Sequence, residues 1–521
     1  MLKLSRASIQ WAIGQASNYG DTDVFPPVFE FEAIEHQSDE IIRWLTDDNI
    51  LDWNVRPPRR CITPKHRYGF RISTQLDPID FLIYTALVYE IGEELEIRRV
   101  PIGDNIVHSY RFQPEGDGRM FKPDTNYETF RQKCKDMAED CEWVTIADIA
   151  DFFPRLYLHR VKNALDSATS KNNHVRALEH MLSSWNEHYS YGIPVGCMAS
   201  RLIAEVAIDD VDRSLLSRGT KYTRFSDDFR IFCQTKREAY AELAFLANVL
   251  FENHGLTLQQ HKTRIITKEQ YKTSYLSSER EQEMSTLSNA FKKLAAELEL
   301  DTVYDQINWD DLTPAQRSML SELNLTDILN EQANADEIDI PLTRFVLNRL
   351  GQIGRKDTLQ SVLTNIDKLY PIIPAVVGYI KNLRDLDEQT KVDIGSTLLD
   401  CVDSSLISHL EFHRMWIMHL FAKDIEYDNK DRFAEISAKW SDQFTQREVI
   451  LALGRSKQDE WFRLQKRNIS NFTPWVKRAI LVGGSCFPHD ERNHWYQSLE
   501  PRLDKLEIAV TKWARHNPYG A

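Results

Sequence analysis

The sequence lacks the marks of several protein classes. It has seven cysteines, and no two of them form a C-x-x-C pair, so neither a disulfide framework nor a zinc site is expected. Buried, reduced thiols fit a cytoplasmic protein instead. The apolar stretches, such as Phe81–Tyr89, are far shorter than the roughly 20 residues that a membrane span requires. The N-terminus has no apolar signal core. We therefore expect a cytoplasmic protein without a membrane partner.

The chain also lacks an excess of basic residues. It holds 64 lysines and arginines against 78 acidic residues, which gives a net charge of −14, and neither half is basic. A protein that lives on duplex nucleic acid usually carries a broad basic footprint. Any nucleic acid must therefore be bound by a local surface. The content of 42% hydrophobic and 27% charged residues is that of a folded protein.

The 521 residues exceed what one hydrophobic core usually supports, so two domains are expected. Residues 1–275 mix strand-like runs, loops and helices, whereas residues 276–521 show almost only apolar residues at helical spacing. Helix pairs with short links predict a HEAT-like α-solenoid. A compact helical array is the alternative, since no firm repeat signature is present. The predicted helices of the second half lie at about 279–300, 313–333, 341–352, 357–370, 374–384, 388–403, 405–422, 430–441, 444–456, 458–468, 473–483 and 490–515.

Two segments of the first half place acidic residues at the ends of strands. In Val144–Pro154, a β-branched run leads to Asp148, and two aromatic residues and a proline follow. Taken alone, this motif favours Asp148 as a helix N-cap. In Tyr222–Phe232, Asp227 and Asp228 interrupt an apolar pattern that continues on both sides, which predicts a β-hairpin with both acids at its turn. Adjacent carboxylates repel each other, and a bound cation relieves that repulsion.

A third segment, Gly192–Glu205, begins as a Gly/Pro loop and continues as a helix, which lets the backbone approach a ligand. Together, the three segments predict a two-metal phosphoryl-transfer site. That chemistry needs carboxylates that bridge two divalent ions about 3.5–4 Å apart. Upstream, a basic loop and hairpin is a candidate anion site, with a solvated basic face as the alternative. Its cations are Arg56, Arg59, Arg60, Lys65, Arg67 and Arg71.

In their order along the chain, the motifs resemble those of the reverse transcriptase palm. The D-I-x-x-F-F-P stretch at Asp148 is similar to the first catalytic motif of that family, and F-S-D-D at Phe225 is similar to its Y-x-D-D turn. G-I-P-x-G at Gly192 resembles the template- and nucleotide-facing loop of these enzymes. Gly255–Thr263 resembles the element that follows, and Pro64–Arg71 resembles the fingers hairpin.

The resemblance covers about residues 55–275 and implies an α+β fold. Reverse-transcriptase-like fingers and palm would occupy 1–275, followed by an all-helical, HEAT-like domain at 276–521. The chain departs from the family pattern in having Phe225 where tyrosine is usual. A narrower resemblance rests on V-H-S-Y-R-F at Val107–Phe112 and on the helical second half. These features are similar to those of the abortive-infection (Abi) polymerases, reverse-transcriptase-like phage-defence proteins, and the prophage-encoded type fits best.

The resemblance implies a role for each matching residue. Two Mg²⁺ ions, for which Mn²⁺ could substitute, would be held by three carboxylates, Asp148, Asp227 and Asp228. The backbone carbonyl of Ile149 would add a further ligand. Phe153 would exclude a 2′-hydroxyl and so favour deoxynucleotides. The residues implied to contact the nucleotide are Lys65, Arg71, Arg111, Phe153, Gly196 and Lys262.

The Abi resemblance further implies DNA synthesis from dNTPs without a nucleic-acid template, started on a protein hydroxyl, in a homo-oligomer. The single-stranded DNA product would then be attached covalently to the protein. Tyr19, in a small polar run, is one candidate for the priming residue, with an exposed loop aromatic as the alternative. Two other functions stay open. One is a templated reverse transcriptase that works with a dedicated non-coding RNA, which a basic C-terminal face would favour. The other is a catalytically inactive helical scaffold that binds a phage protein, which the full set of three aspartates disfavours.

Overall fold

The chain forms two compact units. In the computed structural model, the first unit comprises Met1–Arg60 and Ile72–Glu281, and the second comprises Cys61–Arg71 and Gln282–Ala521. The structure describes residues 1–66, 68–187, 189–276, 312–317, 323–423 and 430–519, together with residues 287, 289 and 427. Most of the predicted helix at 279–300, and part of the one at 313–333, lie outside the described residues. Within these described ranges, no helix combines the length and the apolar content needed to cross a bilayer.

The elements of the first half alternate helices with short strands. The strands are β1 Arg59–His66, β2 Gly69–Gln75, β3 Trp143–Asp148, β4 Tyr222–Phe225, β5 Asp228–Cys233 and β6 Arg264–Thr267. The helices are α1 Arg6–Tyr19, α2 Phe29–His36, α3 Ser38–Asp47, α4 Pro78–Arg98, α5 Tyr127–Glu139, α6 Phe152–Arg155, α7 Leu158–Ala168, α8 Asn172–Trp185, α9 Met198–Ala207, α10 Asp209–Arg218, α11 Lys236–His254 and α12 Lys268–Tyr271.

An antiparallel sheet of four strands, in the order β4-β5-β3-β6, carries the predicted acidic residues. Helices cover both of its faces. Val144 and Ile146 of β3 share a hydrophobic cluster with Phe130 of α5, whereas Thr145 donates a hydrogen bond to the Ala239 carbonyl of α11. Alternate residues of a strand point to opposite faces, so a strand that is covered on both sides is apolar along its length. This explains the unbroken β-branched run that leads to the end of β3.

The predicted upstream hairpin is present as a separate sheet of β1 and β2. Its base is closed by the buried side chain of Arg59, whose Nε and Nη2 donate to Gln75 Oε1 at 2.9 and 2.6 Å. Gln75 in turn donates to Asp21 at 2.8 Å. The outer part of the hairpin, Cys61–Arg71, belongs to the second unit.

Glu90 joins three helices of the first unit. Its carboxylate, on α4, accepts hydrogen bonds from the Ser5 amide at 2.7 Å, the Ser8 hydroxyl at 2.6 Å and His174 Nε2 at 2.6 Å. Ser5 is the N-cap of α1, and His174 belongs to α8. Burial alone would raise the pKa of Glu90, but these donors lower it to about 2. The ionised carboxylate therefore stabilises the packing of α1, α4 and α8.

We expect Glu90→Gln to lower the free energy of unfolding by about 2 kcal/mol at neutral pH, because an amide accepts these hydrogen bonds less strongly than a carboxylate. The folded pKa lies below the unfolded one, so the stabilisation is complete above the unfolded pKa and is lost as the pH falls towards about 2. Urea denaturation between neutral pH and about pH 2 measures how the free energies of unfolding of the wild type and of Glu90→Gln converge. Glu93→Gln, at an exposed position of the same helix, is the matched control. Equal stability of the two variants at neutral pH would contradict the prediction.

The described part of the second half is helical, as the apolar spacing predicts. Its helices are Leu325–Asn334, Ile340–Ile353, Leu359–Thr364, Ile373–Lys381, Glu388–Ser404, Glu411–Lys423, Phe433–Lys439, Gln443–Arg455, Asp459–Gln465, Pro474–Gly483, His489–Leu499 and Lys505–His516. The prediction of one helix over 490–515 is wrong. A 3-10 turn at Glu500–Arg502 contains Pro501, which has no amide to donate, and Asp504 caps a new helix through a capping box with Glu507.

Six of these helices form a row in chain order. Each packs against the next, and the row consists of Ile340–Ile353, Ile373–Lys381, Glu411–Lys423, Gln443–Arg455, Pro474–Gly483 and Lys505–His516. Two glycines allow one of these contacts to be close, because a β-carbon on Gly454 would lie 2.5 Å from the Cα of Gly483. The row agrees with a helical array, and its assignment as a HEAT-like solenoid stays a prediction.

Candidate active site

Three aspartates meet at one end of the sheet. Asp148 ends β3 and Asp228 begins β5, and the two are register partners in the antiparallel pair. Asp227 precedes Asp228 in the turn between β4 and β5, and its carbonyl accepts a hydrogen bond from the Ile149 amide at 3.0 Å. Directly opposed residues of an antiparallel pair project their side chains to the same face. The predicted hairpin with acids at its turn is therefore present, and it lies beside the predicted strand end.

The turn that carries Asp227 is held in a strained backbone conformation. Ser226 has a φ of +55°, in the left-handed region that costs a non-glycine residue about 1 kcal/mol or more. Two hydrogen bonds fix it. The Ser226 amide donates to Ser109 Oγ at 2.8 Å, and its carbonyl accepts from Arg224 Nη1 at 3.1 Å. Ser109 lies in the V-H-S-Y-R-F stretch of the sequence, so that stretch supports the turn directly.

A buried ionic network lies behind this turn. Arg224 pairs with Glu205 at 2.8 Å and with Asp212 at 2.6 Å, and Arg99 also pairs with Glu205 at 2.8 Å. Ser109 donates to Glu205 at 2.6 Å. None of the five is more than 3% exposed. Burial would raise the pKa of Glu205, but the charges of Arg224 and Arg99 lower it. The network thus ties α9 and α10 to the strand that leads into the turn.

Two cations pair with the carboxylates themselves. Lys262 Nζ lies 2.7 Å from Asp148 Oδ2. Arg230 holds both oxygens of Asp228, with Nη2 3.0 Å from Oδ2 and Nη1 in contact with Oδ1. Arg230 follows Asp228 by two residues on β5, which places both side chains on the same face of the strand. In the part of the chain that the structure describes, no group of three or more His, Cys, Asp and Glu side chains is arranged as a metal site.

The carboxylates nonetheless fit divalent cations in their chemistry. Burial, followed by the negative charge of Asp148, raises the pKa of Asp227 to about 6. Burial also raises the pKa of Asp228, although Arg230 opposes the shift. Clustered carboxylates that raise each other's pKa are stabilised by added positive charge, and Mg²⁺ prefers oxygen ligands. Asp148, Asp227 and Asp228 could therefore hold such ions.

Two further predicted residues lie next to the segments that carry the aspartates. Phe153 is the second residue of α6 and follows Asp148 by five residues. Its carbonyl accepts a hydrogen bond from the Ile193 amide at 3.1 Å. Gly196 has a φ of +102°, and a β-carbon there would collide with the side chain of Thr22. The glycine of the G-I-P-x-G loop is thus required by the packing of Thr22, whatever contact its backbone makes with a nucleotide.

Arg111, a predicted nucleotide ligand, is paired inside the first unit. Arg111 is only 1% exposed, pairs with Glu96 at 2.5 Å and donates to the Val100 carbonyl at 2.8 Å, so its guanidinium faces the protein interior. The prediction that Arg111 contacts a triphosphate finds no support in this placement.

The described residues also include the candidates for triphosphate binding, Lys65 and Arg71, and the candidate for priming, Tyr19. Lys65 on β1 and Arg71 on β2 are exposed and belong to the second unit. Their assignment as triphosphate ligands rests on the hairpin motif and stays a prediction. Tyr19 ends α1, is 37% exposed, and donates its hydroxyl hydrogen to Asp117 at 2.6 Å. Its assignment as the priming residue stays a prediction as well.

The sequence patterns did not single out Arg224, Arg230 or Glu205. A signal for the two arginines was present, because each interrupts an otherwise apolar strand that borders an aspartate. A buried charge requires a partner of opposite sign. The identity of those partners depends on contacts between residues that are distant in sequence.

One comparison, with models of known protein families, covers the segment that carries the three aspartates. Residues 107–280 match the family model described as reverse transcriptase (RNA-dependent DNA polymerase). The chain therefore contains a reverse transcriptase domain, which is a nucleotidyltransferase of the polymerase type, and such domains generally use divalent metals. The match includes all three aspartates.

Among solved structures, the chain is similar to apo telomerase from Candida tropicalis, with a TM-score of 0.34 and 11% identity over 74% of this chain and 73% of that one. It is also similar to telomerase from Candida albicans in complex with the TWJ fragment of telomeric RNA, with a TM-score of 0.31 and 11% identity over 75% of this chain and 65% of that one. No curated protein sequence matches the chain.

Proposed function

We propose that the first unit joins dNTPs into DNA with two Mg²⁺ ions held by Asp148, Asp227 and Asp228. One observation carries the proposal. Asp148 and Asp228 lie directly opposite each other at the end of two paired strands, with Asp227 beside them in the turn. This arrangement falls within residues 107–280, which match the reverse transcriptase family.

The reaction is a nucleotidyl transfer. The attacking hydroxyl forms a bond to the α-phosphorus of a dNTP and gives its proton to water, while the bond from that phosphorus to the bridging oxygen breaks and pyrophosphate leaves. When bound, divalent ions supply Lewis acidity at the attacking and leaving oxygens. The three aspartates would hold them, and the Ile149 carbonyl would add a ligand. Lys262, which donates to Asp148 at 2.7 Å, would have to leave that carboxylate before it could assist the departure of pyrophosphate.

We further propose that synthesis needs no nucleic-acid template, starts on a protein hydroxyl, and serves phage defence in a homo-oligomer. The support is the Abi-like pattern at Val107–Phe112 with the helical second half. The net charge of −14 agrees with a protein that does not hold a long duplex. The second candidate is a templated reverse transcriptase that uses a dedicated RNA, which the description of the matching family favours.

The test incubates the purified protein with labelled dNTPs and Mg²⁺, without added template, and resolves the products on denaturing gels before and after protease and nuclease treatment. Labelled DNA that stays attached to protein until protease is added supports the proposal. Synthesis that requires added RNA and yields protein-free DNA moves the templated function to first place. If no dNTP is incorporated in either case, the polymerase proposal itself is wrong. A parallel reaction with a chelator controls for the metal.

Phe153 is predicted to exclude the ribose 2′-hydroxyl. Its half-buried ring packs edge-to-face against Phe152, with 5.4 Å between the ring centroids. We expect Phe153→Ala to raise the use of ribonucleotides relative to dNTPs about 10- to 100-fold, because steric discrimination of this kind is worth about 1–3 kcal/mol. Competition between labelled dNTP and rNTP measures the ratio. Phe153→Tyr keeps the ring and should leave the ratio unchanged, and an unchanged ratio in the alanine variant would remove Phe153 from this role.

A further inference from the structure

Two loops beside the carboxylates are tied together at Tyr157 and Tyr191, which form an isolated antiparallel bridge. The Leu158 amide donates to the Ser190 carbonyl at 2.9 Å next to this bridge. One loop continues the chain from β3, and the other leads into the Gly/Pro loop before α9. Because directly opposed residues of an antiparallel pair project to the same face, both tyrosine rings lie on one surface.

This surface exposes aromatic rings that a protein core would normally cover. Tyr157 is 43% exposed, Tyr191 is 38% exposed and Tyr189 is 59% exposed. The rings of Tyr189 and Tyr191 lie 5.4 Å apart between centroids. The guanidinium of Arg155 lies 5.8 Å from the centroid of the Tyr191 ring. Several flat rings are thus presented side by side to solvent.

Two arginines on this surface have no acidic partner among the described residues. Arg155 and Arg160 are exposed, and neither side chain makes an ion pair or a hydrogen bond to any residue that the structure describes. Both line a hollow of about 380 Å³, together with Tyr157 and Tyr191. Glu252 is the carboxylate in this lining, on the side formed by the end of α11. We call Arg155, Tyr157, Arg160, Tyr189 and Tyr191 the tyrosine–arginine surface.

The hollow lies close to the reaction site along the backbone. Its lining includes Gly255, and two residues further on the Thr257 carbonyl accepts a hydrogen bond from the Ala150 amide at 2.8 Å. Ala150 follows Asp148 by two residues. The tyrosine–arginine surface therefore adjoins the segment that carries the first catalytic aspartate.

We propose that the tyrosine–arginine surface binds single-stranded nucleic acid. Bases stack on exposed aromatic rings, and free guanidinium groups bind phosphates, so alternating rings and arginines match a strand whose bases are unpaired. A duplex keeps its bases inside and would leave the tyrosines without a partner. The net charge of −14 confines such binding to a local patch. The inference rests on the proposed function only for the origin of the strand, which is the DNA product or an RNA.

The test measures the binding of a fluorescein-labelled oligonucleotide of about 15 nucleotides to the full-length protein by fluorescence anisotropy, without dNTPs or divalent ions. DNA and RNA of one sequence, and the corresponding duplex, are compared. The variants are Tyr157→Ala/Tyr191→Ala and Arg155→Gln/Arg160→Gln. The matched control is Arg237→Gln/Tyr240→Ala, which changes exposed residues near the other end of α11.

We expect the wild type to bind the single strand more tightly than the duplex, and each test variant to bind it about tenfold or more weakly. The arginine variant should also reduce the dependence of log Kd on log salt by about 1.4, since each phosphate contact on a single strand contributes about 0.7. The control should bind like the wild type. Preference of the wild type for RNA or for DNA identifies the strand and supports the proposal either way.

Wild-type protein that does not bind the oligonucleotide, or test variants that bind it like the wild type, would overturn the proposal. Circular dichroism melting verifies folding, and the single variant Arg160→Gln replaces any double variant that is unstable. Incorporation of labelled dNTPs is measured in parallel. If the variants lose binding but the wild-type protein incorporates no dNTPs, only the proposed function is contradicted. If the wild-type protein incorporates dNTPs but the variants bind the oligonucleotide like the wild type, only this inference is contradicted.

Discussion

Asp227→Asn and Asp228→Asn are each expected to lower dNTP incorporation by about 10³-fold or more while the protein stays folded. A carboxylate that holds a divalent cation contributes several kcal/mol to the stabilisation of the transition state, and each 1.36 kcal/mol is about tenfold in rate. Asparagine keeps the shape of aspartate and removes the charge. Single-turnover incorporation of a labelled dNTP measures the effect. Asp151→Asn is the matched control, because Asp151 is exposed and lies just beyond the strand end.

The same variants separate a loss of chemistry from a loss of folding. The pKa of Asp227 is raised to about 6 by burial and by Asp148, so the folded protein binds this proton more tightly than the unfolded chain. The stability of the wild type should therefore fall as the pH rises towards 6, and Asp227→Asn should lose that dependence. Thermal melting in the presence of a chelator measures it. Near-normal incorporation by either variant would show that the metal assignment is wrong.

Arg224→Met is expected to destabilise the first unit by about 3–5 kcal/mol. The guanidinium is the shared partner of Glu205 and Asp212, and its removal leaves two buried carboxylates with one fewer cation between them. Methionine has a similar length and is apolar, so the loss reports the missing charge more than missing volume. Urea denaturation measures the change in the free energy of unfolding. Arg237→Met, at an exposed position of α11, is the control.

A second variant tests whether the network acts as a unit. Glu205→Gln alone should also be destabilising, and the double variant with Arg224→Met should lose less than the sum of the two, because residues in one network are not independent. A loss below about 1 kcal/mol for Arg224→Met would contradict the view that this network supports the turn.

Local sequence patterns predict the strand end at Asp148, the hairpin that carries Asp227 and Asp228, and the loop before α9. Each depends on neighbours in the chain: a β-branched run before Asp148, apolar residues on both sides of Asp227, and glycines around Pro194. Such signals act over a few residues and survive in the fold. That the three carboxylates share one site is predicted by the order of these motifs along the chain, which resembles that of the reverse transcriptase palm.

Long-range pairing cannot be read in the same way. The motif around Arg111 predicts a phosphate ligand, but Arg111 forms an ion pair with Glu96 inside the protein. Lys262 similarly lies against Asp148, which is more than a hundred residues away in the chain. Nothing local distinguishes an arginine that faces solvent from one whose partner arrives from a distant helix. The helix over 490–515 is a different case, because Pro501 marks the break in the sequence itself, although the apolar spacing continues on both sides of it.

The row of six helices in the second unit predicts how that unit unfolds locally. Because each helix packs mainly against its neighbours in the row, opening at one end removes, within the row, contacts from the adjacent helix only. Amide hydrogen exchange should then be graded, fastest in the terminal helices Ile340–Ile353 and Lys505–His516 and slowest in Gln443–Arg455 between them. Because successive helices contact each other in this row, adding or removing a whole helix at its end changes the length of the row and leaves the packing of the other helices unchanged.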